Sequence, residues 1–370
     1  MRVSRKRAFG IHHHSRVGVI GTFELMPRQD VYLSLKSKLE RVVPDFELRE
    51  KAAVAEEILR LKREINAVIL GHNYMEPALF HSVPDFAGDS LYLCRKAAET
   101  KAETIVFCGV RFMAETAKIL NPEKRVLIPS PKAGCSLAES LDAEQLRRIK
   151  ERHPGTPVVA YVNTPAEVKA EADACCTSGN AVAVVGGIGA QEVIFVPDEY
   201  LAQNTAAELG WDVTTLTDAE MTAPPRLSSR RRIIAWRGRC EVHEKFTVED
   251  VENVRRQFPD VVVLAHPECP PEVSAVSDFT GSTAQMIRRI DQVGDEPVLL
   301  LTECAMADNI IAAGPSSNIL RLCSLRCPHM AEINLEDTLA SLRRGRYEVD
   351  VPEPVRTRAR AALETMVAVG

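Results

Sequence analysis

The chain has 370 residues, 45% hydrophobic and 26% charged, the balance of a globular protein with room for two or three cores. A net charge of −5 without a long basic run argues against a nucleic-acid or membrane surface, and Arg230–Arg232 is short enough for a solvated loop edge. Ten cysteines are too few for a secreted disulfide scaffold.

Met1 to Arg16 is basic and lacks the apolar segment of a signal peptide. No stretch approaches the roughly 20 apolar residues of a spanning helix. The expectation is a cytoplasmic protein with reduced cysteines. His12–His14 is at most a weak, peripheral metal run. Residues 1–50 read as an N-terminal extension and leading helix.

Three apolar, β-branched runs follow, each ending in polar residues. Ala67-Val-Ile-Leu precedes His72-Asn73-Tyr74, Val158-Val-Ala precedes Tyr161-Val162-Asn163, and Val261-Val-Val-Leu-Ala precedes His266-Pro267-Glu268. Such runs predict buried parallel strands that deliver polar groups at their C-terminal ends. His72 and Glu76 are not a helical metal pair, because a strand precedes them and Pro77 follows. After each run comes a small-residue turn that opens a helix: Gly88-Asp89-Ser90, Thr177-Ser178-Gly179-Asn180 and Gly281-Ser282-Thr283. The intervals His72–Ser90, Asn163–Ser178 and His266–Ser282 are 18, 15 and 16 residues. Further strands begin at Ile105, Val193 and Val298, 15, 15 and 16 residues after the turn serines.

A cysteine closes each unit. Cys135 lies 45 residues after Ser90, Cys240 lies 62 after Ser178, and Cys327 lies 45 after Ser282. The longer middle interval holds a polar, Pro-bearing stretch, Thr214 to Arg232, that reads as a loop insertion. This threefold repeat predicts an α/β protein of three pseudo-symmetric αβα domains, with short parallel sheets arranged as a triangle around a central active site. The divisions are 51–145, 146–240 and 241–335, with a C-terminal helical segment at 336–370.

In such sheets ligands bind beyond the carboxyl ends of the strands. Converging there, His72, Tyr74, His266 and Glu268 supply acid–base groups, and Tyr161 and Asn163 neutral hydrogen-bond partners. Ser90, Ser178 and Thr283 stand in turns that present N–H groups and hydroxyls to an anion, although simple helix capping accounts for each turn alone. Cys135, Cys240 and Cys327 sit in loop-like settings, where three thiolates suit an iron–sulfur cluster or zinc and leave one metal position open. Cys94 and Cys108, inside apolar runs, read as core residues. A local grouping of Cys323, Cys327 and His329 does not fit zinc-knuckle spacing. Nor does Cys323–Cys327 complete a radical-SAM triplet, whose third position is Met330.

The motifs resemble those of the quinolinate synthase family from about Ala67 to Leu339. They are His-Asn-Tyr at 72–74, Gly-Asp-Ser-Leu at 88–91, Cys-Gly-Val-Arg-Phe-Met-Ala-Glu-Thr-Ala-Lys-Ile-Leu at 108–120 and Gly-Cys-Ser-Leu at 134–137. Then come Tyr-Val-Asn-Thr at 161–164, Thr-Ser-Gly-Asn at 177–180, Trp-Arg-Gly-Arg-Cys-Glu-Val-His at 236–243, His-Pro-Glu at 266–268, Gly-Ser-Thr at 281–283 and Cys-Pro-His-Met at 327–330. The stretch Thr302-Glu-Cys-Ala departs from the family, which usually has Gly before the apolar residue.

The resemblance implies an enzyme of NAD biosynthesis that condenses iminosuccinate with dihydroxyacetone phosphate to quinolinate, releasing phosphate and two waters. It implies a 4Fe–4S cluster on Cys135, Cys240 and Cys327, whose open iron acts as Lewis acid. It assigns Tyr74 to proton transfer, Glu268 to general base, and His266 and His72 to holding or protonating oxygens. Ser90, Tyr161, Asn163, Ser178 and Thr283 would grip carboxylates and phosphate. Functional coupling to L-aspartate oxidase is a further expectation. The alternatives are a non-catalytic iron–sulfur sensor on the same fold, which needs neither Tyr74 nor Glu268, and a zinc-dependent lyase or hydrolase.

Overall fold

The computed structural model describes residues 28–41, 43–218, 229–314, 318–322 and 325–369. The three apolar runs are strands: β1 (Ala67–His72), β5 (Val158–Tyr161) and β10 (Val262–Ala265). Beside them lie β2 (Phe86–Gly88), β6 (Ala174–Cys176) and β11 (Phe279–Thr280) on one edge, and β3 (Thr104–Cys108), β7 (Glu192–Val196) and β12 (Val298–Leu301) on the other. Then come β4 (Arg125–Leu127), β9 (Arg232–Ala235) and β13 (Ile319–Arg321). The sheets run β2-β1-β3-β4, β6-β5-β7-β9 and β11-β10-β12-β13, so one strand order is used three times. All the ladders are parallel.

The second sheet carries one addition, β8 (Asp212–Thr215), paired with the outer side of β9. Part of the stretch read as a loop insertion is therefore strand at both ends. Residues 219–228 within it lie outside the described residues, as do His12–His14 and Cys323.

Each parallel sheet is covered on both faces, which is why its strands are nearly all apolar. The third sheet makes this plain: Val263, Ala265, Leu299 and Leu301 join a core on one side, and Leu264, Val298 and Leu300 join a core on the other. The first two sheets share one continuous core. The helix Glu353–Ala368 bridges them, packing on β6 and on the helices Ser90–Glu99, Arg111–Leu120 and Ala166–Lys169. The helix Leu335–Arg344 packs on the long helix Asp45–Glu64. Among the described residues no helix is long and apolar enough to cross a membrane.

Candidate active site

Because the three units share a strand order, they present the same positions to a common centre. His72 closes β1, Tyr161 closes β5, and His266 follows β10 directly. Two residues further on stand Tyr74, Asn163 and Glu268. The repetition extends to hydrogen bonding: His72 Nδ1 accepts the Tyr74 backbone N–H at 3.2 Å, and His266 Nδ1 accepts that of Glu268 at 3.3 Å. Each neutral ring therefore keeps its proton on Nε2. Burial pushes His72 down to about 4 and His266 down to about 3, so both are neutral near pH 7.

The helix starts converge as well. Asp89 caps the helix Ser90–Glu99 by accepting from the Tyr92 N–H, and Ser282 caps the helix Thr283–Ile290 in a capping box with Gln285. These turns touch one another. Ser282 Oγ donates to Asp89 Oδ2 at 3.3 Å, Gln285 Nε2 donates to the Gly179 carbonyl at 3.3 Å, and Asn73 Nδ2 donates to Thr283 Oγ1 at 2.9 Å. Asn180 holds the third turn: its Oδ1 accepts from the Thr177 N–H at 2.7 Å, and its Nδ2 donates to the Met366 carbonyl at 3.0 Å.

The three cysteine loops share a further geometry. The carbonyls of Cys135, Cys240 and Cys327 accept from the N–H four residues on, at Glu139, Glu244 and Ala331, so each cysteine begins a single helical turn. Burial pushes the thiols up: Cys135 to about 12, Cys327 to about 11, and Cys240 well above the usual range. Opposing this, each sulfur feels the backbone N–H groups two and three residues on, an environment that favours a thiolate once a metal displaces the proton. The residues after the cysteines clasp one another, with Ser136 Oγ donating to Glu241 Oε1 at 2.8 Å and His329 Nε2 3.1 Å from the same oxygen. Gly238 lets the Cys240 loop approach, since a Cβ there would stand 2.4 Å from the Pro197 carbonyl oxygen.

A cavity of about 90 Å³ lies between the units. The first contributes His72, Tyr74, Ser90 and Cys135 to its wall, the second Tyr161, Asn163, Ser178 and Cys240, and the third His266, Glu268, Thr283 and Cys327. Every site residue expected from the sequence lines this one space.

Two further residues give the site its connectivity. His243 is fully buried on the short helical turn after Cys240, and Thr302 follows β12. Tyr74 Oη is 2.6 Å from Thr302 Oγ1, which is 3.0 Å from His243 Nε2. His243 Nδ1 is 2.8 Å from Glu268 Oε2, and Tyr161 donates to the other Glu268 oxygen at 2.6 Å. Five side chains from all three units thus form one hydrogen-bonded run. His243 closes the Trp236–His243 motif, and its place three residues after Cys240 is the signal the sequence carries.

The electrostatics follow from this run. Burial would raise the Glu268 carboxyl, but the rings of His266 and His243 and the Tyr161 hydroxyl more than offset it, holding Glu268 below the usual carboxylate range. Burial, then the Glu268 charge, push the Tyr74 phenol well above its ordinary value, with only the Thr302 hydrogen bond opposing. The Tyr161 phenol is raised in the same way. Behind the wall, fully buried Asp198 is likewise raised, first by burial and then by Glu268; its Oδ2 has no hydrogen-bond partner among the described residues.

The three cysteine sulfurs do not form a set lying within 4.8 Å of one another, whereas Cys240, His243 and Glu268 do. A single ion needs the tighter spacing. A multi-iron cluster spreads its thiolates roughly 6–7 Å apart, given metal–sulfur bonds of about 2.3 Å. Three cysteine thiols on one cavity wall, each facing backbone N–H groups, are a donor set whose chemistry suits an iron–sulfur cluster.

Comparison with known proteins decides the family. The family model for quinolinate synthetase A protein matches residues 56–368. The chain belongs to the quinolinate synthase family. Quinolinate synthase 2 of Mesorhizobium japonicum is 50% identical over 335 residues, spanning 90% of this chain and 97% of that protein. The quinolinate synthase of Agrobacterium fabrum is 48% identical over 334 residues, 90% of this chain and 91% of its own. That of Xylella fastidiosa (strain Temecula1) is 48% identical over 314 residues, 85% and 86% of the two chains. The similarity to quinolinate synthases takes in the helix Glu353–Ala368, beyond the reach of the sequence motifs, and the chain is an enzyme of quinolinate synthesis.

Proposed function

We propose that the enzyme condenses iminosuccinate with dihydroxyacetone phosphate in this cavity, yielding quinolinate, phosphate and two waters, and that Cys135, Cys240 and Cys327 hold a 4Fe–4S cluster. When bound, the cluster supplies a Lewis-acidic iron with one position open to a substrate oxygen. The remaining chemistry belongs to the chain. Raised by burial, the Tyr74 phenol stays protonated at neutral pH and gives that proton to a substrate oxygen, and the run through Thr302 and His243 returns one to the phenol oxygen. Glu268, kept ionised, is the general base, and the proton it takes from substrate feeds that run.

Neutral His72 and His266 hold or protonate substrate oxygens through Nε2. Ser90, Ser178 and Thr283, at the helix starts, bind carboxylate and phosphate groups. Tyr161 and Asn163 serve Glu268 in the resting site, Asn163 Nδ2 standing 3.4 Å from its Oε1. Closure around both substrates excludes water from hydrolysable iminosuccinate. The setting we assign is the cytoplasm, with L-aspartate oxidase as the functional supplier of iminosuccinate.

The run from Tyr74 to Tyr161, beside three thiols, carries this reading, because a cluster-bearing sensor has no need of it. The test is anaerobic reconstitution with iron and sulfide, followed by assay of quinolinate from the two substrates. Cluster-loaded protein that makes none would overturn the proposal.

A further inference from the structure

We infer that the cluster-free chain also holds a single soft divalent cation of the Zn²⁺ class, between Cys240 Sγ, His243 Nδ1 and Glu268 Oε2. The three atoms lie within 4.8 Å of one another, with His243 Nδ1 3.2 Å from the sulfur and 2.8 Å from the carboxylate oxygen. Bonds of about 2.0–2.3 Å in a tetrahedral arrangement place ligand atoms roughly 3.3–3.7 Å apart. The ring–sulfur spacing nearly meets that already, and the ring–carboxylate spacing needs to open by under about 1 Å.

The surrounding contacts are those a metal site requires. Thr302 Oγ1 stands 3.0 Å from His243 Nε2, ready to accept its proton and fix the tautomer, and Tyr161 donates to the Glu268 oxygen that faces away from the ring. All three ligands line the cavity, which leaves the fourth position accessible. One soft thiolate, one imidazole and one carboxylate favour zinc over magnesium or calcium. On binding, the Cys240 thiol proton leaves to solvent and the ring proton passes from Nδ1 to Nε2, so the site gains one net positive charge.

Cys240 cannot serve this ion and the proposed cluster together. Zinc therefore competes with cluster assembly, and it also takes His243 out of the Tyr74–Glu268 run. The cation site stands on the three side chains alone; only the exclusion rests on the cluster reading.

The test uses the full-length, cluster-free, reduced protein under anaerobic conditions. Zn²⁺ is titrated against a chromophoric chelator, and Co²⁺ serves as a probe of thiolate ligation. One tight equivalent is expected, with a cobalt–thiolate charge-transfer band. Affinity should fall at least about tenfold in His243→Ala and in Glu268→Gln, which preserves side-chain shape, and stay at the parent value in Cys135→Ser and Cys327→Ser. Unchanged affinity in His243→Ala, or loss in Cys135→Ser, overturns the site. Iron uptake by the same protein with one equivalent of zinc present tests the exclusion separately: a full cluster load with zinc still bound overturns it and leaves the cation site standing.

Discussion

The Tyr161 hydroxyl donates to Glu268 Oε1 at 2.6 Å, joining the end of β5 to the loop after β10. Both side chains are buried, so the bond is not shared with bulk water, and it steadies a carboxylate that burial alone would neutralise. Tyr161→Phe removes the donor and little else. Hydrogen bonds to a charged group are worth about 1.5–3 kcal/mol, so kcat/KM for quinolinate formation should fall roughly 10- to 150-fold with iron content unchanged. Steady-state kinetics of the reconstituted variant check this.

Thr302 sits between two acid–base groups and touches both. Thr302→Val keeps its shape and removes the oxygen that joins Tyr74 to His243. A lost relay should lower kcat by roughly 10²- to 10⁴-fold. Thr302→Ser, which keeps the hydroxyl, should recover most of the rate. Equal rates in the valine variant and the parent would remove Thr302 from the mechanism.

Iron analysis separates ligand cysteines from core cysteines. Cys240→Ser should abolish cluster assembly, whereas Cys94→Ser, buried on the helix Ser90–Glu99 away from the cavity wall, should load iron like the parent. Equal loss in both would mean that the ligands are wrongly assigned.

His81 gives the fold an acid sensitivity of its own. Burial first, then Lys38, lower its pKa from 6.5 to about 4, while its Nε2 bonds the Asn309 carbonyl. The unfolded chain takes up a proton below about 6.5 that the folded chain refuses until about 4. Stability therefore falls as pH drops through that window, by about 3 kcal/mol from this residue when complete. His81→Gln, whose amide can donate to the same carbonyl, should flatten the change in urea midpoint between pH 7 and pH 4.5.

Asp198 shifts the opposite way. Burial, then Glu268, push its carboxyl well up, so it costs stability above the ordinary carboxylate range, where the unfolded chain ionises freely. Asp198→Asn keeps the cap on the Leu201 N–H and removes that cost. The melting temperature at pH 7.5 should hold or rise; a fall of several degrees would show that the carboxylate is ionised in the fold.

The architecture was legible because its determinants are local. Ala67–Leu70, Val158–Ala160 and Val262–Ala265 carry enough β-branched and aliphatic residues to mark buried strands. The turns at Ser90, Ser178 and Thr283 repeat at nearly constant spacing. The outer strands were missed because Arg125–Leu127 and Ile319–Arg321 are too short to show a period, and Asp212–Thr215 is a polar edge. His243 and Thr302 escaped for a different reason: their tasks arise from contacts distant in the chain, 59 residues between the two and 228 from Thr302 to Tyr74, and no local pattern encodes such a meeting.

The meeting of three helix starts at Asp89, Gly179 and Ser282 has a practical consequence. Each start carries up to about half a positive charge, while Asp89 and ionised Glu268 line the same hollow, so an anion there is drawn by the directed N–H groups and not by net charge. Under the proposed binding mode, sulfate, phosphate or citrate carried over from purification will compete with the substrate carboxylates. Assays in such buffers will read a KM that climbs with the anion while kcat stays put, and dialysis into chloride or a zwitterionic buffer will restore it.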